Sequence, residues 1–318
     1  MQNDLRALIA QSRRVVFFGG AGVSTESGIP DFRGENGLYR QKFAYPPEVI
    51  LSHSFFMRHT EAFFDFYRQR MLCPGAQPSR AHRILADMER AGKLTGIVTQ
   101  NIDGLHQAAG SQNVLELHGS VKRNYCMQCR RFYPETAVAD STGVPRCACG
   151  GVIKPDVVLY EESLDEGVMT RALQLIADSD LLIVGGTSLT VYPAAGFITY
   201  RGGKLAVINK TPTAADAQAD LCIHGSVGDA LAPSGQRRRP PYSKATVRYC
   251  WPFHSPARTM ASPWGSARST PVTCAATAAK PRTPSTPPHT GHSLAVVASP
   301  ALRVMRSQLV SRSSPQPS

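Results

Sequence analysis

Short apolar runs that stop at small or polar residues recur along the chain. Val15–Phe18 stops at Gly19-Gly20, Thr95–Val98 at Thr99-Gln100-Asn101-Ile102-Asp103, and Leu181–Val184 at Gly185-Gly186-Thr187-Ser188. Lys204–Ile208 stops at Asn209, Val114–Leu117 at His118-Gly119, and Leu221–Ile223 at His224, while Ile153–Tyr160 reads as one further strand. Short apolar runs without alternation suit parallel strands buried on both faces. Between them the period becomes helical. Leu5, Leu8 and Ile9 share one face of Asn3–Arg13, and Ile84, Leu85 and Met88 share one face of Ala81–Ala91, which ends at Gly92. Leu173–Ala177 lies in another helix. This βα rhythm predicts an α/β fold: a Rossmann-like, doubly wound parallel sheet with helices on both faces.

Two stretches break the rhythm. Residues 36–75 are rich in aromatics (Tyr39, Phe43, Tyr45, Phe55, Phe56, Phe63, Phe64, Phe66, Tyr67), with Pro46-Pro47 breaking the first part. They read as a loop followed by helices around Ser54–Met71, a small helical module whose aromatics are mostly core. The second stretch, 121–152, has too few apolar residues to fold alone but holds Cys126 and Cys129 in a C-x-x-C pair and Cys147 and Cys149 in a C-x-C pair. Two short pairs at this separation predict a structural four-cysteine zinc site. With no histidine in the pattern, the metal would be closed and structural rather than catalytic.

Charge matters only once it is located. The net charge of +12 belongs to the C-terminal end, because residues 233–318 hold 12 Lys and Arg and no acidic residue. The first 232 residues carry 23 Lys and Arg against 23 Asp and Glu and are neutral. The same tail holds 14 of the 24 prolines and many Ser and Thr, a composition that predicts disorder. Its abrupt onset after Ala232-Pro233 suggests a frameshifted reading of the terminal coding region. The rival reading is a basic tail that binds nucleic acid through Arg237-Arg238-Arg239. The polar N-terminus lacks a signal-peptide pattern, and no apolar run approaches the ~18 residues of a membrane span. Clustered cysteines without a secretory leader point to a reducing cytoplasm and no membrane partner.

The expected organisation is therefore 1–35, 76–120 and 153–231 in the sheet domain, 36–75 in the helical module with a cofactor loop, 121–152 in the zinc module, and 232–318 in the tail. Candidate chemistry gathers at strand ends. Glycines just after Val15–Phe18 would bring backbone N–H groups up to a pyrophosphate, although the spacing departs from G-x-G-x-x-G. The loop continues through Asp31, Phe32 and Arg33, and Gln100, Asn101 and Asp103 crowd the carboxyl end of a second strand, where open α/β sheets bind ligands. His118 ends a third.

GAGVSTESGIPDFRG (20–34), TQNIDGLHQAAG (99–110), ELHGS (116–120), the four-cysteine insert, GGTSLTVYPAAG (185–196) and VIN (207–209) follow one another in this order. Together they resemble the sirtuins, NAD-dependent protein lysine deacylases, over about residues 1–231, and the compact bacterial branch in particular. The resemblance implies that Gly20, Ala21, Gly22, Thr25, Asp31, Phe32, Arg33, Gln100, Asn101, Ile102, Asp103, His118, Gly186, Thr187, Ser188 and Asn209 bind NAD. Ile102 and Asp103 would line the nicotinamide pocket, and Phe32 would shield the site once nicotinamide leaves. His118 would be the general base, acting through the ribose hydroxyls, and Asn101 would position a water or the ribose. Val158, Leu159 and Tyr160 would bind an acylated-lysine peptide as an added strand, paired on its other side with the segment after Ser188. Products would be free lysine, nicotinamide and 2′-O-acyl-ADP-ribose.

Members that favour acidic acyl groups carry a Tyr-x-x-Arg pair. Tyr67 and Arg70 have those letters, but an ungapped count from Gln77-Pro78 places the positions on Phe64 and Tyr67, which favours acetyl. The expectation is a deacetylase. A desuccinylase or other deacylase, a protein ADP-ribosyltransferase, and an NAD-binding module inactivated by its aberrant C-terminus are the alternatives.

Overall fold

A computed structural model describes residues 2–32, 34 and 37–233; Arg33 and the basic tail beyond Pro233 lie outside the described residues. The chain opens with α1 (Gln2–Gln11) and β1 (Val15–Gly19), followed by two short 3-10 turns, Ala21–Val23 and Thr25–Ser27. The aromatic segment forms α2 (Pro47–Ile50), α3 (His53–Arg58) and α4 (Thr60–Arg70). Then come α5 (Arg80–Arg90), β2 (Leu94–Thr99), α6 (Leu105–Ala108) and β3 (Val114–Glu116). The insert contributes β4 (Gly119–Cys126), β5 (Phe132–Pro134), α7 (Thr136–Ala139) and β6 (Ile153–Val157). The last part is α8 (Glu166–Ala177), β7 (Leu181–Gly185), β8 (Lys204–Asn209), β9 (Leu221–His224) and α9 (Val227–Leu231).

Six strands form a parallel sheet in the order β3-β2-β1-β7-β8-β9. With the insert removed this is the doubly wound order 3-2-1-4-5-6. The unalternated apolar runs are explained by two cores. Val16, Phe18, Leu182, Val184, Leu205 and Val207 face Ala172 and Ile176 of α8. Val15, Phe17, Leu181, Ile183, Ala206 and Ile208 face Leu5 of α1, Leu85 of α5, and Val227 and Ala230 of α9. Successive strand residues thus each find an apolar layer.

The short helix α9 is capped by the Ser226 hydroxyl, which accepts from the Asp229 N–H at 3.1 Å. It is tied to α1 by Gln2, which donates to the Asp229 carbonyl, and by Arg6, which donates to the Ala232 carbonyl at 2.6 Å. Ala232 turns extended and ends the helix.

A second, antiparallel sheet has the order β5-β4-β6. Gly119 and Ser120 pair with Val157 and Asp156, so the expected boundaries at 120/121 and 152/153 fall inside this sheet. The strand predicted over 153–160 ends at Val157, and Tyr160 instead forms an isolated parallel bridge to Ser52. The aromatic helices and the cysteine insert also share one core. Phe55, Phe56, Phe63, Phe64 and Tyr67 are buried with Val121, Val138, Ile153, Val157 and Leu159.

Candidate active site

The chain runs outward in opposite directions from β1 and β7, so a crevice opens at their adjacent carboxyl ends, Gly19 and Gly185. Two glycine turns line it and touch each other. The Gly20 N–H donates to the Gly185 carbonyl at 3.2 Å, and the Gly22 N–H to the Gly186 carbonyl at 2.7 Å. A Cβ on Gly22 would lie 2.8 Å from the Gly186 backbone, and one on Gly20 2.6 Å from the Thr187 side chain. Gly186 has φ +62°, in the left-handed region. The glycines therefore serve turn-to-turn packing.

Around this crevice the predicted residues converge. Thr25 donates from its hydroxyl to the Gly22 carbonyl at 3.0 Å, and Ala21 opens the first 3-10 turn. The Asp31 carboxylate accepts from the Gly34 N–H and closes the loop that carries Phe32. Phe32 and Ile102 both pack on the aromatic core. Gln100 hydrogen-bonds the buried Thr187 hydroxyl at 3.4 Å, linking the ends of β2 and β7. Ser188 is exposed and pairs with the Thr190 hydroxyl, and Asn209 at the end of β8 donates to the Thr211 carbonyl.

His118 sits in the turn between β3 and β4, where the two sheets meet. Its Nδ1 lies 3.0 Å from the Gln100 carbonyl. A carbonyl only accepts, so Nδ1 carries the proton and Nε2 keeps its lone pair. Burial pushes the imidazole below the ordinary histidine value, opposed by the hydrogen bond to Gln100. The ring is thus neutral and oriented, as a base must be. Arg123 braces this turn by bonding Glu116 at 2.7 Å and Asp156 at 2.8 Å.

Several contributors are not visible in sequence order. The Ser24 hydroxyl donates to Asp103 Oδ2 at 2.6 Å and accepts from Asn101 Nδ2 at 3.0 Å. Asp103 Oδ1 accepts from the Leu105 N–H, so both of its oxygens are oriented, each with a second lone-pair site for a ligand. Beneath lies a buried histidine pair, His82 and His106, with ring centroids 4.6 Å apart. Ser79 joins His82 to the glycine turn, since its hydroxyl donates to the Val23 carbonyl. Burial lowers His82 to about 4 and His106 to about 3, so both are neutral. The signal that could have found them is the pair of histidines that follow Ser79 and Asp103 at three residues' distance.

The substrate candidates are more constrained than an open strand edge. The Val158 N–H donates to the His118 carbonyl, the Leu159 N–H to Glu162, and the Tyr160 N–H to the Leu51 carbonyl. The carbonyls of Leu159 and Tyr160 accept from the N–H groups of Glu162 and His53. Among the described residues, only the Val158 carbonyl of these three is left for a further strand.

The four cysteine sulfurs lie within 4.8 Å of one another, with Cys126–Cys149 and Cys129–Cys147 each at 3.5 Å. A tetrahedron of Zn–S bonds near 2.3 Å has edges of about 3.8 Å, so the cluster fits a zinc ion. A Cβ on Gly151 would reach 2.7 Å from the Cys126 sulfur, which explains the glycine after the second pair.

The profile of the Sir2 family matches residues 20–193. The chain is 58% identical over 234 residues to an NAD-dependent protein deacetylase of Clostridium acetobutylicum, covering 72% of this chain and 96% of that one. The chain belongs to the Sir2 family. Solved Sir2 structures share its fold. One, a complex with p53 peptide and NAD+, is 37% identical with a TM-score of 0.66, covering 73% of this chain and 95% of that chain. Another, with an inhibitor, 2′-O-acetyl-ADP-ribose and deacetylated p53 peptide, is 36% identical with a TM-score of 0.65, covering 72% and 95%.

Proposed function

We propose that the chain is an NAD-dependent protein lysine deacetylase that moves the acetyl group from lysine to ADP-ribose and releases nicotinamide. The observation that carries the reading is His118, neutral and oriented by the Gln100 carbonyl beside the crevice of two glycine turns. NAD would lie across that crevice, with pyrophosphate at the turns of Gly20–Thr25 and Gly186–Ser188, and ribose near Asn209. Ile102 and Asp103 would hold the carboxamide end, with Asp103 held in place by Ser24 and Leu105.

The reaction breaks the bond between nicotinamide and ribose, and the acyl oxygen of the lysine takes its place at C1′. Phe32, anchored on the aromatic core, keeps water from that carbon. His118 Nε2 then takes a proton through the ribose hydroxyls as the 2′-oxygen adds to the acyl carbon; the C–N bond to lysine breaks as that nitrogen takes a proton, and one water adds to the acyl carbon to leave the acetyl ester on ADP-ribose. Val158, Leu159 and Tyr160 bind the peptide, with the Val158 carbonyl as the backbone contact on this side. An uncharged acyl-lysine enters the apolar surroundings at lower cost than a lysine cation.

Acetyl rather than an acidic acyl group fits α4. Phe64 and Tyr67 are fully buried among aromatic rings, while the guanidinium of Arg70 lies 5.3 Å from the Phe43 ring centre. Zinc would hold the β5-β4-β6 sheet through Cys126, Cys129, Cys147 and Cys149 and take no part in the reaction. Thiolates kept reduced suit a cytoplasmic protein. Among the described residues, no helix is long and apolar enough to cross a membrane.

The test is mass spectrometry of the products formed from NAD and an acetyl-lysine peptide. Deacetylated peptide with O-acetyl-ADP-ribose in solution is expected; ADP-ribose attached to protein without deacetylation would replace this reading with the transferase. Matched acetyl and succinyl peptides test the acyl choice. A higher kcat/KM on succinyl, lost in Arg70→Ala, would overturn it.

A further inference from the structure

The four clustered cysteines differ in what surrounds their sulfurs. Cys126 and Cys147 are buried, while Cys129 and Cys149 are exposed. Within the C-x-x-C pair the Cys129 N–H reaches the Cys126 sulfur at 3.5 Å, so that knuckle supplies a donor of its own. The C-x-C pair is one residue shorter and draws a donor from another strand. The Tyr133 hydroxyl, on β5, donates to the Cys147 sulfur at 3.0 Å.

Tyr133 is held in three ways. Its backbone pairs with Asn124 across β4 and β5, and the buried Asn124 amide donates to the carbonyls of Tyr133 and Pro134 at 3.4 and 3.1 Å. Its ring packs on the aromatic core that the insert shares with α3 and α4. Its oxygen has a second partner in the Arg131 guanidinium, which donates to it and also attracts the sulfurs of Cys147 and Cys129. A tyrosine hydroxyl has one proton to give and lone pairs to receive. Arg131, Tyr133 and Cys147 therefore form a chain in which each bond polarises the next.

Four thiolates around one zinc ion leave about two negative charges in excess. In a partly buried site that excess is costly unless hydrogen-bond donors share it. We propose that Arg131 and Tyr133 form a donor relay that fixes the Cys147 sulfur as a zinc ligand and slows loss of the metal. This rests on the zinc site assigned to the four cysteines above. Tyr133 is a positioning residue, since it touches a metal ligand and no reacting atom. Its ring belongs to the aromatic core and its hydroxyl to the sulfur cluster, so it also ties the metal-held end of the insert to the apolar one.

The test is a double-mutant cycle on the full chain with Tyr133→Phe, Arg131→Gln and the pair. Tyr125→Phe, which removes a hydroxyl elsewhere in the same sheet, is the control. Zinc affinity and release rate are read by competition with a chromophoric chelator. Tyr133→Phe keeps its ring and is expected to weaken zinc by about 10- to 100-fold, with faster release. Arg131 is exposed, so Arg131→Gln tests the relay without disturbing the core; a loss of about 3- to 10-fold is expected. In the Tyr133→Phe background the same change should cost less, because the chain is already broken. Tyr125→Phe should hold zinc as the wild type does.

Cobalt in place of zinc provides a second readout that does not rely on affinity. The sulfur-to-cobalt charge-transfer band should move to longer wavelength in Tyr133→Phe, since a thiolate without its hydrogen bond gives up an electron more easily. Unchanged zinc affinity and an unmoved band in Tyr133→Phe, strictly additive losses in the double variant, or an equal loss in Tyr125→Phe would each overturn the relay. A wild type that holds no zinc would instead overturn the metal site beneath it.

Discussion

The two sheets of this protein are stabilised by different physics. The six-stranded sheet is packed on both faces by apolar side chains, and seventeen of its strand residues are buried against α1, α5, α8 and α9 or their neighbouring turns. Each fully buried large side chain contributes roughly 1.5–3 kcal/mol, so this sheet has a core of its own. The three-stranded sheet has one apolar face, shared with the aromatic helices, and at its other end only the four sulfurs. His118 stands at the joint, two residues after β3 ends in the first sheet and one before β4 opens the second. The proposed base thus depends on both a hydrophobic and a metal-held structure being in register.

Removal of zinc should separate the two most strongly. Structural zinc in small modules contributes on the order of 10 kcal/mol, far more than the insert's few apolar residues can replace. Chelation, or Cys126→Ser, is expected to abolish deacetylation while far-ultraviolet circular dichroism retains the helical signal of the parallel sheet domain. Full activity after verified loss of zinc would break the comparison.

The joint itself is next. Gly119 has φ +73°, and a Cβ there would collide with the Asp156 carbonyl across the strand pair. Gly119→Ala should displace His118 and reduce kcat by about 100-fold or more, since a misplacement near 1 Å is enough for that loss. Gly22→Ala tests the other side, where the new methyl meets the Gly186 backbone. It should weaken NAD binding and lower stability by about 1–3 kcal/mol, leaving the zinc module intact by metal content. Equal melting temperatures would contradict the turn-to-turn contact.

Two titrations sharpen the picture with smaller effects. His118 must be neutral to accept a proton, and burial holds it below the ordinary histidine value of about 6.5. Activity should therefore stay level from neutral pH down past that value and fall only as more acidic conditions protonate the ring. A kcat/KM limb at or above the ordinary value would argue against a buried base. His82 and His106 act on stability instead. Both are neutral in the fold, at about 4 and about 3, and are protonated more readily when unfolded. Their contribution is unchanged above the unfolded value near 6.5 and is lost as pH falls below it towards the folded values. Melting temperature, measured with zinc saturating, should decline through that window; a flat profile would contradict their burial as neutral rings.

Much of this was legible in the sequence for physical reasons. Glycine turns, the Gln100–Asp103 loop and the paired cysteines announce themselves because each needs particular residue types at short spacing. The sheet domain followed from period alone. What the sequence withheld depends on contacts between distant residues. The three-residue strand β5 is too short to show a period. The bond from His118 to the Gln100 carbonyl involves backbone, which carries no residue signature. Ser24 looks like one more polar loop residue until Asn101 and Asp103 are brought to it across the sheet. The strand over 153–160 was read too long because Val158, Leu159 and Tyr160 extend its apolar run, whereas their N–H groups turn to His118, Glu162 and Leu51.

The central claim is that the glycine-turn crevice breaks NAD and that His118 acts afterwards on the acyl group. The most direct measurement compares two rates in one variant, His118→Ala, with NAD and acetyl-lysine peptide present. Exchange of labelled nicotinamide into NAD reports the bond-breaking step, and release of deacetylated peptide reports the whole reaction. Loss of a general base costs about 10²- to 10⁴-fold, so deacetylation should fall by that much while exchange persists within about tenfold of the wild type. Deacetylation that continues at the wild-type rate in His118→Ala, or proceeds without NAD, would contradict the account.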